Sequence, residues 1–265
     1  MKNVLLLVHD DNGQEARLQA ALDVVRAVEG HLTCLDVAMI PDLIGDPYGV
    51  GAFLLDEERQ REGTNRNRLE QRLAVEGLPW NWVDATGTIS SCITDAAGLA
   101  DLIVVNRKLS DSSAPDMRTV AIDTLLKARK PVLAVPDGTR GLDLSGHAMI
   151  AWDGSDEATA ALRASVPLLK LAKRVTILEI DDGSIATSGE EAASYLSRHD
   201  VGATLMSLQA QYPDAGDDIL HQIKATRPDY VVMGGFGHGR IREAVFGGVS
   251  RRMLTESPVP LLMAH

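Results

Sequence analysis

Short apolar runs alternate along the chain with segments whose apolar residues recur at helical spacing. Val4–Val8 is continuously hydrophobic, as in a strand covered on both faces, whereas Glu15–Val28 has the pattern of an amphipathic helix. The first half adds predicted strands at Leu32–Val37, Leu102–Val105 and Val132–Val135, with the end of a helix at Asp95–Leu99 and a further helix over Thr119–Lys127. The second half has predicted strands at Met149–Trp152, Val175–Ile180, Ala203–Gln209, Tyr230–Met233 and Leu261–Met263. This alternation predicts an α/β fold with a parallel sheet and helices on both faces.

The chain also repeats itself. Leu5–Asp10 has a counterpart at Ala148–Asp153, and three further pairs of segments match in the same order. We therefore predict two tandem copies of one unit, residues 1–138 and 145–265, joined by a turn-rich linker. The first copy is longer because residues 41–64 have the composition of a loop followed by a polar helix. The two copies are expected to pair within the chain through their last predicted strands.

The composition and net charge of the chain exclude several classes of function. The net charge is −11 and only 4% of residues are aromatic, which argues against binding to nucleic acids or anionic membranes. Two cysteines cannot build a disulfide framework or a structural zinc site, and the seven histidines show no zinc-binding spacing. Because no apolar run is long enough to span a membrane, we expect a cytoplasmic protein.

A glycine-rich segment follows the predicted fourth strand of the second copy. It runs from Gly234 to Gly239, and Gly247-Gly248 then precedes the last predicted helix. Ligands of open α/β sheets bind beyond the carboxyl ends of the strands, where glycine allows close backbone approach and a helix start favours an anion. The pattern predicts a phosphate site, with tight turns as the alternative. It fits neither the P-loop nor the dinucleotide fingerprint.

These residues resemble the universal stress protein family. Its nucleotide-binding members carry G-x2-G-x9-G-[S/T] after the fourth strand and an Asp at the end of the first. Gly234, Gly237 and Gly247 keep this spacing, and Asp153-Gly154-Ser155 matches the family's D-G-S, whereas Gly248 stands where Ser or Thr is usual. The likeness covers the chain as a tandem pair of Rossmann-like (adenine nucleotide alpha hydrolase-like) domains that form an intrachain pseudo-dimer.

The resemblance implies an ATP site in the C-terminal copy, with Mg²⁺ as a companion ion. Asp153 and Gly154 would line the adenine side, and Met233 with Gly234 would pass beside the ribose and phosphates. The expected phosphate-binding residues are Gly237, Arg240, Gly247, Gly248, Val249 and Ser250. For Arg240, the alternative is an exposed charge on a helix surface.

The first copy lacks this motif, since no glycine occurs between Asn106 and Lys130. We therefore expect a degenerate domain that acts as a structural partner, in which Arg107 and Lys108 either meet an anion or lie in a solvated loop. No catalytic residue is predicted: Asp153 could hold Mg²⁺, but no neighbouring side chain is identified as a base, and hydrolysis of ATP would be slow and incidental.

Two functions fit the sequence. The first is a stress-response sensor that binds ATP through its C-terminal domain. The second is a stress-related interaction module without nucleotide, acting on an unknown protein partner or as a homodimer. A small-molecule enzyme using Cys92 or His238 is a third, weaker alternative.

Overall fold

The computed structural model describes residues 1–39, 50–107, 117–181, 183, 185–237 and 248–265. Its strands are β1 Asn3–Val8, β2 His31–Met39, β3 Trp80–Gly87, β4 Leu102–Asn106, β5 Val132–Val135, β6 His147–Trp152, β7 Arg174–Asp181, β8 Thr204–Gln209, β9 Tyr230–Gly234 and β10 Leu261–Ala264. Its helices are α1 Gln14–Val28, α2 Val50–Leu73, α3 Ile89–Ala96, α4 Met117–Ala128, α5 Asp156–Leu169, α6 Gly189–Ser197, α7 Ala215–Thr226 and α8 Gly248–Glu256.

The ten strands form one sheet in the order β3-β2-β1-β4-β5-β10-β9-β6-β7-β8. Read outward from its centre, each half of the sheet has the same order of first to fifth strands. All neighbours are parallel except β5 and β10, which run antiparallel with Leu133 opposite Leu262. The predicted α/β fold and the pairing of the two copies through their last strands are therefore confirmed.

Helices cover both faces of the sheet, which explains the continuous apolar runs in the sequence. One core cluster packs α1 and α5 against the sheet, and the other packs α4 and α8 against the opposite face. Every residue of β4 and β6 is buried. The outermost strands, β3 and β8, are only partly buried and alternate between covered and open positions. The described helices include none with the length and apolarity needed to cross a membrane.

Three local predictions need correction. Strand β3 was not predicted, because its alternation of half-buried and exposed residues produces no continuous apolar run. The helix whose last residues were expected at Asp95–Leu99 ends at Ala96 instead, and Leu99 is 88% exposed. The polar helix predicted within residues 41–64 is α2, which extends to Leu73; residues 40–49 lie outside the described ranges.

Candidate functional site

The predicted nucleotide-binding segments of the second unit meet at one edge of the sheet. Asp153 directly follows β6, Gly234 ends β9, and β6 and β9 are adjacent parallel strands. Gly248 begins α8, and the Phe236 N–H donates to Ser250 Oγ at 3.4 Å, which connects the segment after β9 to this helix. The carboxyl ends of both strands and the start of α8 therefore lie together.

The D-G-S segment forms a tight turn that starts α5. Both the N–H and the hydroxyl of Ser155 donate to Asp153 Oδ1, at 3.0 and 2.7 Å, and Ser155 Oγ accepts from the N–H of Ala158 at 3.1 Å. This is a helix N-cap. Gly154 has φ +74°, and a side chain there would collide with the backbone of Thr187. Only glycine fits this position, and the segment after β7 covers one side of the turn.

Gly234 is required by packing between β9 and α5. A Cβ atom at this position would lie 2.6 Å from the backbone nitrogen of Ala158 and 2.8 Å from the carbonyl carbon of Glu157. Neither backbone atom can move without displacing the first turn of α5. Gly234 therefore has a structural role in addition to any contact with a ligand.

Gly237 and Gly248 have more open surroundings, and each faces a carboxylate. A Cβ at Gly237 would lie 3.1 Å from Glu157 Oε2, and one at Gly248 would lie 3.2 Å from Asp214 Oδ2. The other oxygen of Asp214 accepts from the N–H of Gly216 at 2.8 Å and caps α7. Two acidic groups thus flank the described part of the predicted phosphate site.

The remaining predicted residues differ in what the structure describes. Met233 is buried in the core, so only its backbone at the sheet edge could contact a ligand, and Val249 is partly buried in the first turn of α8. Arg240 and Gly247 lie outside the described residues, as does His238.

In the first unit, the space between the carboxyl ends of β1 and β4 is filled by side chains. Arg17 is fully buried and donates to the carbonyl oxygens of Leu7 and His9 at 2.9 and 3.0 Å, and to Asp11 Oδ2 at 2.8 Å. Asn106 Nδ2 donates to the other oxygen of Asp11 at 3.0 Å. This buried polar network occupies the place where the second unit carries its glycines.

Arg107, which was expected either to meet an anion or to lie in a solvated loop, adjoins this network. Its side chain is half-buried, and burial lowers the pKa of its guanidinium. The nearby charges of Asp137 and Glu256 are negative, which opposes an anion at this place. Lys108 lies outside the described residues.

A cavity of about 260 Å³ that was not predicted from the sequence lies in the first unit, between β2, β3 and α2. Asp36, Glu62 and Asp84 line it together with Arg59 and Arg66. Burial, reinforced by the charges of Glu62 and Asp84, raises the pKa of Asp36 to about 7. The available signal was the position of Asp36 late in β2, near the edge where ligands of α/β sheets bind.

The comparisons with known proteins agree with this architecture. A sequence model of the universal stress protein family matches residues 146–265. A universal stress protein from Archaeoglobus fulgidus DSM 4304 has a similar structure, with a TM-score of 0.76, 16% identity, and coverage of 99% of this chain and 95% of that one. A functionally unknown protein from Pseudomonas aeruginosa PAO1 has a TM-score of 0.65 at 16% identity, with 100% and 92% coverage.

None of the curated proteins compared with this chain matches it. The TM-scores of the two solved structures show a shared fold over both units, and at 16% identity the likeness shows the fold alone. The family model matches the sequence of the second unit, and this match does not depend on the structural similarity. The sequence of the C-terminal unit, over residues 146–265, thus matches the universal stress protein family, and the fold of the whole chain is similar to that of a solved universal stress protein.

Proposed function

We propose that this protein is a tandem stress-response sensor whose C-terminal unit binds an adenine nucleotide, ATP, together with Mg²⁺. The observation that carries the proposal is the position of the glycine motif. Its first glycine ends β9, next to the Asp153 turn at the end of β6, its second lies just beyond the strand, and its third immediately precedes α8 in the sequence. The start of α8 offers backbone N–H groups to an anion. We propose no catalytic role, and we expect any hydrolysis of ATP to be slow.

The two carboxylates at this edge give Mg²⁺ a specific part in the proposal. Glu157 faces Gly237 and Asp214 faces Gly248, so both would repel a phosphate group that arrives without a cation. A Mg²⁺ ion binds carboxylate and phosphate oxygens together and would turn this repulsion into attraction. We therefore expect ATP to bind in the presence of Mg²⁺ and to bind much more weakly when a chelator is present.

The direct test of this function is the identification of nucleotide carried by the protein. Freshly purified protein is denatured, and any released nucleotide is identified by chromatography and mass spectrometry. Close to one ATP, ADP or AMP per chain would support the sensor. The absence of released nucleotide, together with no heat when ATP and Mg²⁺ are titrated into the protein, would refute it.

Replacement of Gly237 by valine is expected to abolish ATP binding while the protein stays folded. The valine methyl groups would fill the space through which the backbone has to approach a phosphate, and affinity should fall by more than about 100-fold, or roughly 2.7 kcal/mol. The fold tolerates the change because the nearest atom belongs to the flexible end of Glu157. Calorimetric titration with ATP and Mg²⁺ measures the loss.

Gly202→Val is the matched control, since a Cβ there meets no atom within 4 Å. This variant should bind ATP as the unmodified protein does. If the unmodified protein, Gly237→Val and Gly202→Val all bind ATP with equal affinity, the glycine motif does not form the nucleotide site. Gly234→Val is a poor substitute for Gly237→Val, because its side chain collides with the backbone of α5.

Replacement of Gly248 by serine is expected to raise ATP affinity about two- to tenfold. It restores the hydroxyl usual at this position of the family, and one neutral hydrogen bond contributes roughly 0.5–1.5 kcal/mol. Gly248→Ala adds the same Cβ without the hydroxyl and serves as control. If the alanine and serine variants bind ATP equally, the hydroxyl makes no contact with the nucleotide.

An interaction module without nucleotide is the second candidate, and two observations favour it. The backbone of Thr187 packs against Gly154 on the side where adenine is expected, and the carboxylates of Glu157 and Asp214 face the phosphate side. In this case, the pairing of β5 with β10 would hold two domains in a fixed arrangement for a protein partner. Failure of the nucleotide test, with the protein folded, would favour this function.

A further inference from the structure

A histidine and two glutamates converge in the first unit. His9 directly follows β1, whereas Glu58 and Glu62 lie one helical turn apart on α2. His9 Nδ1 is 2.9 Å from Glu62 Oε1 and 4.0 Å from Glu58 Oε1. One ligand atom from each side chain lies within 4.8 Å of the other two. The three groups can therefore contact a single ion.

The ligand atoms of this cluster are buried and incompletely hydrogen-bonded. The side chains of His9 and Glu62 are 2% and 3% exposed. In the part of the chain that the structure describes, Glu58 Oε1 has no hydrogen-bond partner, and His9 Nδ1 has no contact with hydrogen-bond geometry although Glu62 Oε1 lies 2.9 Å away. Arg61 contacts Glu58 Oε2 at 2.9 Å and Asn65 donates to Glu62 Oε2 at 3.2 Å, so the other oxygen of each glutamate is directed towards His9. Glu62 Oε1 also accepts a long hydrogen bond from the N–H of Asp10, at 3.4 Å. Polar atoms buried in this way are normally satisfied by a ligand, an ion or water.

The adjacent cavity also contains a buried carboxylate oxygen that has no hydrogen-bond donor among the residues that the structure describes. Glu62 lines both the cluster and the cavity, and Asp36, which is 5% exposed, has an oxygen there without a hydrogen-bond partner. The equivalent residue of the second unit, Glu179, accepts from the N–H of Gly189 at 2.6 Å and from the hydroxyl of Ser207 at 2.9 Å. Asp84 occupies the position of Ser207 in the first unit, so an acceptor replaces a donor.

We propose that the first unit binds a Zn²⁺ ion through His9 Nδ1, Glu58 Oε1 and Glu62 Oε1, with water from the cavity completing its coordination. Zn²⁺ binds imidazole nitrogen and carboxylate oxygen at about 2.0–2.2 Å, and the ligand atoms of a tetrahedral site are then roughly 3.3 Å apart. The separations of 2.9 and 4.0 Å in the cluster bracket that value. A mixed nitrogen and oxygen set suits zinc better than Mg²⁺, which prefers oxygen and keeps its water.

The charges around the cluster set the expected affinity. Arg61 balances one of the two glutamates, being 2.9 Å from Glu58 and 3.9 Å from Glu62 Oε1. The cluster therefore presents about one net negative charge to the ion when His9 is neutral. We expect binding in the micromolar range, weaker than in the four-ligand structural sites of zinc proteins.

The full chain, freed of metal by a chelator that is then removed, provides the test. Titration with Zn²⁺ in a calorimeter should give one ion per chain, and Co²⁺ should produce the visible absorption bands of a low-symmetry site. His9→Ala and Glu62→Gln should each lower Zn²⁺ affinity at least tenfold. The controls Glu57→Gln, on the exposed side of α2, and His221→Ala, exposed on α7, should leave the affinity unchanged.

Thermal unfolding separates this site from a purely structural ion pair between His9 and Glu62. Zn²⁺ at saturating concentration should raise the midpoint of the unmodified protein and leave that of Glu62→Gln unchanged. A structural pair would make the variants less stable without any response to Zn²⁺ in the unmodified protein. The proposal is overturned if the unmodified chain takes up no Zn²⁺, or if both variants take it up with undiminished affinity.

Discussion

Replacing Asp36 with asparagine should stabilise the metal-free protein strongly above pH 7 and hardly at all below pH 4. The folded protein raises the pKa of this carboxyl from 3.8 to about 7. Between these values the folded state holds a proton that the unfolded chain has lost, so stability falls as the pH rises through this range. The loss is complete above pH 7 and approaches 4 kcal/mol, at about 1.4 kcal/mol per pKa unit. Asparagine carries no charge to bury and escapes this loss.

The groups around Asp36 make the direction of this effect clear. Burial raises the pKa of Asp36, and the negative charges of Glu62 on α2 and Asp84 on β3 raise it further. His9 and Arg66 lower this pKa, but their combined effect is smaller, so the net shift is upward. Cys34 lies on the same strand, and burial together with the charge of Asp36 raises the pKa of its thiol to about 12. The thiol is therefore neutral over the relevant pH range and does not alter the prediction.

Urea unfolding of both proteins at pH 4, 5.5 and 8, with a chelator present, measures the difference. Glu179→Gln is the control from the equivalent position of the second unit. Glu179 is fully hydrogen-bonded, so its replacement should not stabilise the protein at any of these pH values. If Asp36→Asn instead lowers the free energy of unfolding equally at all three pH values, the Asp36 carboxylate is ionised and stabilising in the folded protein, and the prediction is wrong.

The fold could be predicted because its central strands are covered on both faces. Such strands are continuous apolar runs, and β1 and β6 also matched as repeats of one another. The strand β3 escaped prediction for the opposite reason. It lies at the edge of the sheet, and its exposed positions, such as Asp84, interrupt the apolar pattern. Burial on two faces produced the signal for the central strands, whereas the other edge strand, β8, was predicted at Ala203–Gln209 despite a similar alternation.

The predicted C-terminal site came from spacing within two short segments, which a sequence preserves directly. The cluster around His9 could not be found in that way. Its members come from the end of β1 and from α2, about fifty residues later, so no metal-binding spacing rule connects them. The partners of Asp36 were equally hidden, because the sequence does not state which strand lies beside β2. Both features depend on strand order, which becomes known only from the fold.

The buried network of the first unit shows a similar limit of sequence patterns. Helical periodicity predicted the apolar face of α1 but gave no sign that Arg17 is buried, since an arginine in an amphipathic helix normally lies on the exposed face. Its burial follows from acceptors that the fold supplies. These are two carbonyl oxygens at the carboxyl end of β1 and just beyond it, and the carboxylate of Asp11.

Replacement of Arg17 by methionine is accordingly expected to cost 3–5 kcal/mol in the free energy of unfolding. Methionine fills a similar volume, but the carbonyl oxygens of Leu7 and His9 and the carboxylate of Asp11 would lose their donor in a buried place. The loss of one partner of a buried ion pair costs about this much because the remaining charge is left uncompensated. Urea unfolding followed by circular dichroism measures the difference.

Two companion variants define what the result means. Arg163→Met removes an exposed arginine from α5 and should change stability by less than about 0.5 kcal/mol. Arg17→Lys keeps the charge but lacks the planar fork that reaches three acceptors, so it should recover only part of the loss. A cost below about 1 kcal/mol for Arg17→Met would mean that water replaces the guanidinium. The first unit would then retain an open crevice at the carboxyl ends of β1 and β4 instead of a closed one.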